Sequence, residues 1–396
     1  MSVRSRLGVF WGALALVIAV GVVISVAVPR TSSGEVGNGT FQVNANTDGC
    51  GQGWSDARAG TQRFRVTNTT VAGIEVYVQN VRTKAVYLDL ENIGTAASAT
   101  GSVTLGPGTY RFVCVPAESD PVPGPPVTVT GSAAGLSVTP GIVPVTRADL
   151  IGPAKAYSAW VAARLPVLAA QVAAVSSDVA TADLAGAERD WLTGHETYET
   201  LGAAYGAFGK YDAAINGAPA SGQTALSDPG LTGFHKIEAL LWSGAPIATI
   251  APYASRLVSD VAALQAWFRT AQVDPQMIGL RAHEILENAL QFELTARTDA
   301  GSGTNLATVD ANLAGTVQAL NPLRGILASR DPKLAETDSW LARSASLVES
   351  YRKPDGSWTP LAVLTQSQRE ALNATIDQTV ELLAEVAAIC DERRAA

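Results

Sequence analysis

The chain changes its periodicity once, near Thr146, and that change restricts it to two architectures laid end to end. From about residue 39 to 131 the sequence alternates in short runs closed by Gly, Pro and Asn, among them "TQRFRVTNTT", "GIEVYVQN", "AVYLDLENI", "GSVTLGPGTYRFVCV" and "PPVTVTG". β-Branched residues at period two with turn residues between them predict about six or seven strands, enough for a β-sandwich. "GLSVTPGIVPVT" then serves as a Pro/Gly linker over 132–146. Beyond it, alanine-rich text at helical spacing runs to the end, and "TRAD" offers a capping box with Thr146 as N-cap and Asp149 three residues on. Helices are expected over about 147–179 (interrupted or kinked at Pro166), 183–208, 229–243, 253–271, 275–295, 304–328, 332–352 and 366–393. The expected fold is therefore multidomain, an N-terminal β-sandwich over 39–131 followed by an all-α helical bundle over 147–393.

The first thirty residues carry Arg4 and Arg6, then an uncharged run from Leu7 to Val28, then Arg30. Residues 1–35 are read as a signal peptide or a membrane anchor. The length of the run favours an uncleaved anchor over 7–28 with its N-terminus in the cytoplasm, which puts the rest of the chain outside it. That compartment permits disulfides. A bridge between Cys50 and Cys114 is the favoured reading, stabilising a small domain by about 4 kcal/mol; two thiolate ligands for a soft metal such as copper are the alternative. Cys390, on an alanine-rich helix, reads as an inert buried thiol. The net charge of −8 excludes a nucleic-acid partner, which would need clustered Lys and Arg.

All three histidines fall on predicted helices, each with a carboxylate three or four residues away. In "GFHKIEALLW", helical rotation puts His235 and Glu238 with Phe234, Leu241 and Trp242 in one sector of about 120°, so the polar pair faces the core. A buried carboxylate costs several kcal/mol unless it is paired or bound to a cation. "ERDWLTGHETYETLGAAYGAF" places Glu188, His195 and Glu199 on one face, and "LRAHEILENALQFEL" pairs His283 with Glu287. Such carboxylate-rich sets with one or two imidazoles suit iron, manganese or zinc. An internal His–Glu hydrogen bond is the plainer alternative for each pair. "HEILE" and "HKIEA" each lack the second histidine of the zinc-protease signatures HExxH and HxxEH.

"GFHKIEALLW" is similar to the GxHxxE motif of the imelysin-like proteins, and "HETYETLGAAYGAF", "RAHEILENALQFELTARTD" and "NLATVDANLAGT" resemble neighbouring segments of EfeO-type iron-uptake components. "DGC" at Cys50, "IEVYV" at Glu75, "ENI" at Glu91 and "YRFVC" at Cys114 resemble the cupredoxin-like domain that precedes the helical domain in that family. The resemblance covers nearly everything after residue 40. It implies a non-enzymatic, extracytoplasmic protein that binds iron and passes it to a membrane permease, working with a secreted haem peroxidase. It also implies that His235, Glu238 and Glu199 form the bundle site, and that Cys50, Glu75 and Cys114 match positions proposed to hold copper. Glu287 matches a family glutamate. His195, His283, Asp212 and Asp228 are further candidates between which the sequence does not choose. A zinc metallopeptidase using the same HxxE residues is the alternative function.

Overall fold

The computed structural model describes residues 39–46, 49–117 and 119–392, and the anchor expected over 7–28 lies outside them. The strands are β1 (Phe41–Ala45), β2 (Cys50–Gln52), β3 (Gly60–Asn68), β4 (Ile74–Asn80), β5 (Val86–Ile93), β6 (Ser98–Leu105), β7 (Gly108–Pro116), β8 (Val122–Pro123) and β9 (Val127–Val129). They form two sheets, one ordered β2-β1-β3-β6 and the other β5-β4-β7-β8 with β9 also on β7. Alternation decides which face is buried. Along β3, Gln62, Phe64, Val66 and Asn68 are buried while the residues between them are exposed or half-buried. Phe64, Val66 and Val103 from the first sheet meet Val76, Val78 and Phe112 from the second in one apolar core. The rings of Trp54, Phe64 and Phe112 pack edge to face there, with centroids 5.0 to 5.4 Å apart. Two sheets closing on one shared core make a sandwich.

The helices follow as α1 (Arg147–Ala180), α2 (Leu184–Glu199), α3 (Tyr205–Phe208), α4 (Lys210–Asn216), α5 (Gly233–Trp242), α6 (Ile247–Trp267), α7 (Met277–Asn288), α8 (Asn305–Leu320), α9 (Arg324–Leu327), α10 (Leu334–Glu349) and α11 (Gln366–Cys390). The capping box at Thr146 and Asp149 is present, with Thr146 N–H donating to the Asp149 carboxylate at 2.9 Å. α1 runs as one helix through Pro153 and Pro166, so the chain is not interrupted there. A proline costs one backbone donor, and burial of Leu165 and Leu168 on either side of Pro166 offsets it.

The helix expected over 183–208 stops at Glu199, and a short 3₁₀ turn and α3 redirect the chain into α4. That fold-back lets the Tyr198 hydroxyl donate to Asp212 at 2.6 Å. α5 lies at the centre of the bundle, with every residue from Gly233 to Leu241 buried. A helix covered on all sides carries its polar groups inward by necessity. Cys390 is buried, and burial pushes its thiol up to about 12.

Candidate metal centre

Two glycines set the approach of the helices that build the site. Gly233 has φ of 79°, and a Cβ there would fall 2.1 Å from the Ile215 carbonyl oxygen, so only glycine lets α5 start against the end of α4. A Cβ on Gly315 would come within 2.6 Å of the Thr200 carbonyl oxygen, so α8 crosses the end of α2 at backbone distance. The first contact aims His235 inward, and the second brings Asn312 to Glu199. Trp191 locks α2 to α5 by donating its ring N–H to the Phe234 carbonyl at 2.9 Å.

Between these helices lies a cavity of about 370 Å³, lined among others by Glu199, Asp212, Asn216, His235, Glu293 and Asn312. Glu199 accepts from Asn216 at 2.7 Å and from Asn312 at 2.9 Å, and lies 3.3 Å from His195 Nε2. Glu293 closes a π-turn, Ala289–Glu293, that continues α7; such turns are frequent at functional sites. It accepts from Thr298 at 2.6 Å and from Asn305 at 2.9 Å. Burial and then the charge of Glu199 push the Glu293 carboxyl above its usual range. Burial also opposes the charge on Glu199, yet His195, Asn312 and Asn216 outweigh it and hold that carboxyl below its usual range. His195 is buried with its ring stacked on Trp191 at 4.9 Å. Burial works against its protonation, but Glu199, Glu238 and Glu293 together raise its pKa.

The donor and acceptor count shows what this cavity suits. Asn216 Oδ1, Asn305 Oδ1 and His195 Nδ1 are buried with no hydrogen-bond partner among the described residues, while His195 Nε2 has the Glu199 carboxylate at 3.3 Å. Of the groups that line the cavity, the Glu199 and Glu293 carboxylates, the Asn216 amide oxygen and the His235 imidazole are ligand types for a hard cation, and the one guanidinium there, Arg281, is paired with Glu284. Iron, manganese and zinc fit these donors; a soft thiophilic metal does not.

Glu238 is placed differently. It does not line the cavity. Its Oε1 accepts from the Ala300 N–H (3.0 Å), the Ser302 N–H (3.2 Å) and the Ser302 hydroxyl (2.7 Å), and its Oε2 lies 3.3 Å from His235 Nδ1. Lys236, also buried, donates to the carbonyls of Ala225, Leu226 and Asp228 at 2.9 to 3.0 Å and holds the loop before α5. The Asp228 carboxylate accepts from the Ala220 and Gly230 N–H groups, so it organises that loop and lies outside the site. Asp212 lines the cavity and is tied to Tyr198.

Two expected ligand sets need correction. His283 and Glu287 lie 3.8 Å apart, but neither lines the cavity, and Glu287 is close to half exposed. The buried stripe of α7 is Ile278, Ala282, Ile285 and Leu286, which turns Glu284, Ile285 and Asn288 toward the cavity and leaves the 283–287 pair to one side. Cys50 and Cys114 form a disulfide, so neither sulfur is a thiolate ligand. Glu75 cannot join them. In the β4–β7 register Val76 faces Cys114 on the inner side, while Glu75 faces Val115 on the outer side. Glu75 groups instead with Asp89 and Glu91, whose carboxylate oxygens lie within 4.8 Å of one another.

The sequence reading missed Glu293, Asn216, Asn305 and Asn312. No histidine stands three or four residues from Glu293, and the amides carry no charge to draw attention.

Fold and cavity together define an all-α bundle protein with a carboxylate-and-imidazole interior, preceded by a β-sandwich. The imelysin family model matches residues 153–386, and the chain belongs to that family. It is similar to the iron uptake system component EfeO of Yersinia pestis, 26% identical over 329 residues, which is 83% of this chain and 85% of that protein. EfeO of Escherichia coli (strain K12) is 25% identical over the same shares. The family model carries a peptidase name, whereas these relatives are named for iron uptake.

Proposed function

We propose that the protein is the iron-binding component of an uptake system, capturing iron as cargo in the bundle cavity and releasing it to a membrane permease. The observation that carries this reading is the pair of buried carboxylates, Glu199 and Glu293, that line one cavity with His235. The names of the relatives support iron as the cation. Outward placement of the domains, an anchor over 7–28 that keeps the protein beside the permease, and a secreted haem peroxidase as partner rest on the sequence pattern and the resemblance. The sandwich, proposed to be cupredoxin-like, then serves as a docking module, since its bridged cysteines do not offer a copper site.

A zinc peptidase at the same motif would need Glu238 free to take a proton from metal-bound water. Its oxygens are already taken by Ala300, Ser302 and His235, which argues for binding over hydrolysis. Anaerobic Fe(II) titration of the full-length chain in mild detergent tests the proposal. One saturable site is expected in the wild type, weakened at least about 100-fold, or about 2.7 kcal/mol, by Glu199→Ala and by His235→Ala. No saturable binding in the wild type, or wild-type affinity in both variants, would overturn it.

A further inference from the structure

We infer that Glu238, the carboxylate of the GxHxxE motif, is a positioning residue that acts through His235, and that Glu293 supplies the carboxylate ligand which the motif alone would assign to Glu238. The inference deepens the proposed function and rests on the cavity's being the cation site. A carboxylate offers about four lone-pair positions. At Glu238 three donors meet Oε1 (Ala300 N–H, Ser302 N–H and Ser302 Oγ), and His235 Nδ1 lies against Oε2. A cation bound at Oε1 would have to displace one of these buried donors, which would then be left unsatisfied, and Oε2 is turned to His235, with Glu238 absent from the cavity lining.

His235, by contrast, lines the cavity. With Nδ1 donating to Glu238, Nε2 is the nitrogen left for an ion, and the carboxylate fixes the tautomer and the orientation of the ring. The arrangement extends outward, because Ser302 Oγ lies 2.8 Å from Thr304 Oγ1. Thr304, Ser302, Glu238 and His235 thus form one chain of hydrogen bonds that ends at the cavity. Glu293 is held by a single donor on each oxygen, Thr298 and Asn305, which leaves lone pairs on both.

The test reads the His235 ring directly by nitrogen-15 NMR of the full-length, metal-free chain, at a pH of about 8.5 where an ordinary imidazole is neutral. Three histidines make the assignment tractable. A pyrrole-type Nδ1 and a pyridine-type Nε2 are expected at His235 in the wild type, shifting toward the Nε2–H form in Glu238→Gln. A purely structural pair would show the same tautomer, and the metal-binding arm below separates the two roles.

The second arm measures Fe(II) binding, with X-ray absorption on the loaded protein. Glu238→Gln should bind about 10- to 100-fold more weakly with its oxygen ligands unchanged in number, whereas Glu293→Gln should lose one. Ser302→Ala, which removes a donor from Glu238 without touching His235, should give a smaller loss of the same kind and serves if Glu238→Gln does not fold. An Nε2–H tautomer in the wild type, or loss of an oxygen ligand in Glu238→Gln, would overturn the assignment. Failure of the wild type to bind Fe(II) at all would overturn the proposed function instead, and the tautomer would still decide the role of Glu238.

Discussion

Glu293→Gln should stabilise the metal-free protein and disable the loaded one. Glu293 and Glu199 line the same cavity of about 370 Å³. A sphere of that volume is roughly 9 Å across, and two unit charges at that separation repel by about 2 kcal/mol at an effective dielectric of 20. Glutamine removes the repulsion and keeps the shape. Its amide oxygen can still accept from Thr298, and its new N–H group can donate to Asn305 once that amide turns, because Asn305 Oδ1 has no partner among the described residues.

The metal-free variant should therefore melt roughly 4 to 8 °C higher than the wild type near neutral pH. The sign with pH follows from the direction of the shift. A carboxyl whose folded pKa is raised destabilises the fold above that pKa and ceases to do so once protonated in both states. The gain should accordingly fade as the pH falls toward the ordinary glutamate value of 4.5. With Fe(II) the order reverses, since the wild type at 100 times its dissociation constant gains about 2.7 kcal/mol that the variant lacks. Scanning calorimetry with and without chelator reads both effects. A variant less stable than the wild type when metal-free, with unchanged iron affinity, would refute the reasoning and make Glu293 an ordinary hydrogen-bonded core residue.

A His283→Ala/Glu287→Ala double variant should bind Fe(II) with wild-type affinity in the same titration, because that pair does not line the cavity. Lys236→Met removes the donor shared by three carbonyls, two of them in buried hydrogen bonds, and should cost about 3 kcal/mol in chemical denaturation, with faster proteolysis between residues 217 and 231. Replacing Cys50 and Cys114 by serine opens a loop of 64 residues and should destabilise the sandwich by about 4 kcal/mol in its own unfolding transition, leaving Fe(II) affinity unchanged.

How much of this was legible in the sequence depended on whether the signal was local. The β-to-α order, the Thr146 capping box and the inward face of His235 follow from periods of two and 3.6 and from one hydrogen-bonding pattern. Glu199 was found because it stands four residues from His195 on the face of Trp191. Glu293 was not, because the π-turn that ends α7 belongs to no repeating period, and its partners Thr298 and Asn305 come from outside that helix. The same helix misled the reading of His283 and Glu287. Spacing says that two residues share a face but not which face the bundle covers, and the Glu287 side chain is 44% exposed. Cys50, Glu75 and Cys114 were grouped by resemblance, and a one-residue step in strand register puts Glu75 on the opposite side of the sheet.

The central claim is tested most directly by locating iron in the molecule, through anomalous diffraction at the iron edge from crystals loaded anaerobically with Fe(II). The account requires a peak in the bundle cavity within bonding distance of Glu199, Glu293 and His235 Nε2, with Glu238 outside the coordination sphere. Iron found instead at Glu75, Asp89 and Glu91 on the sandwich, with the cavity empty, would contradict it.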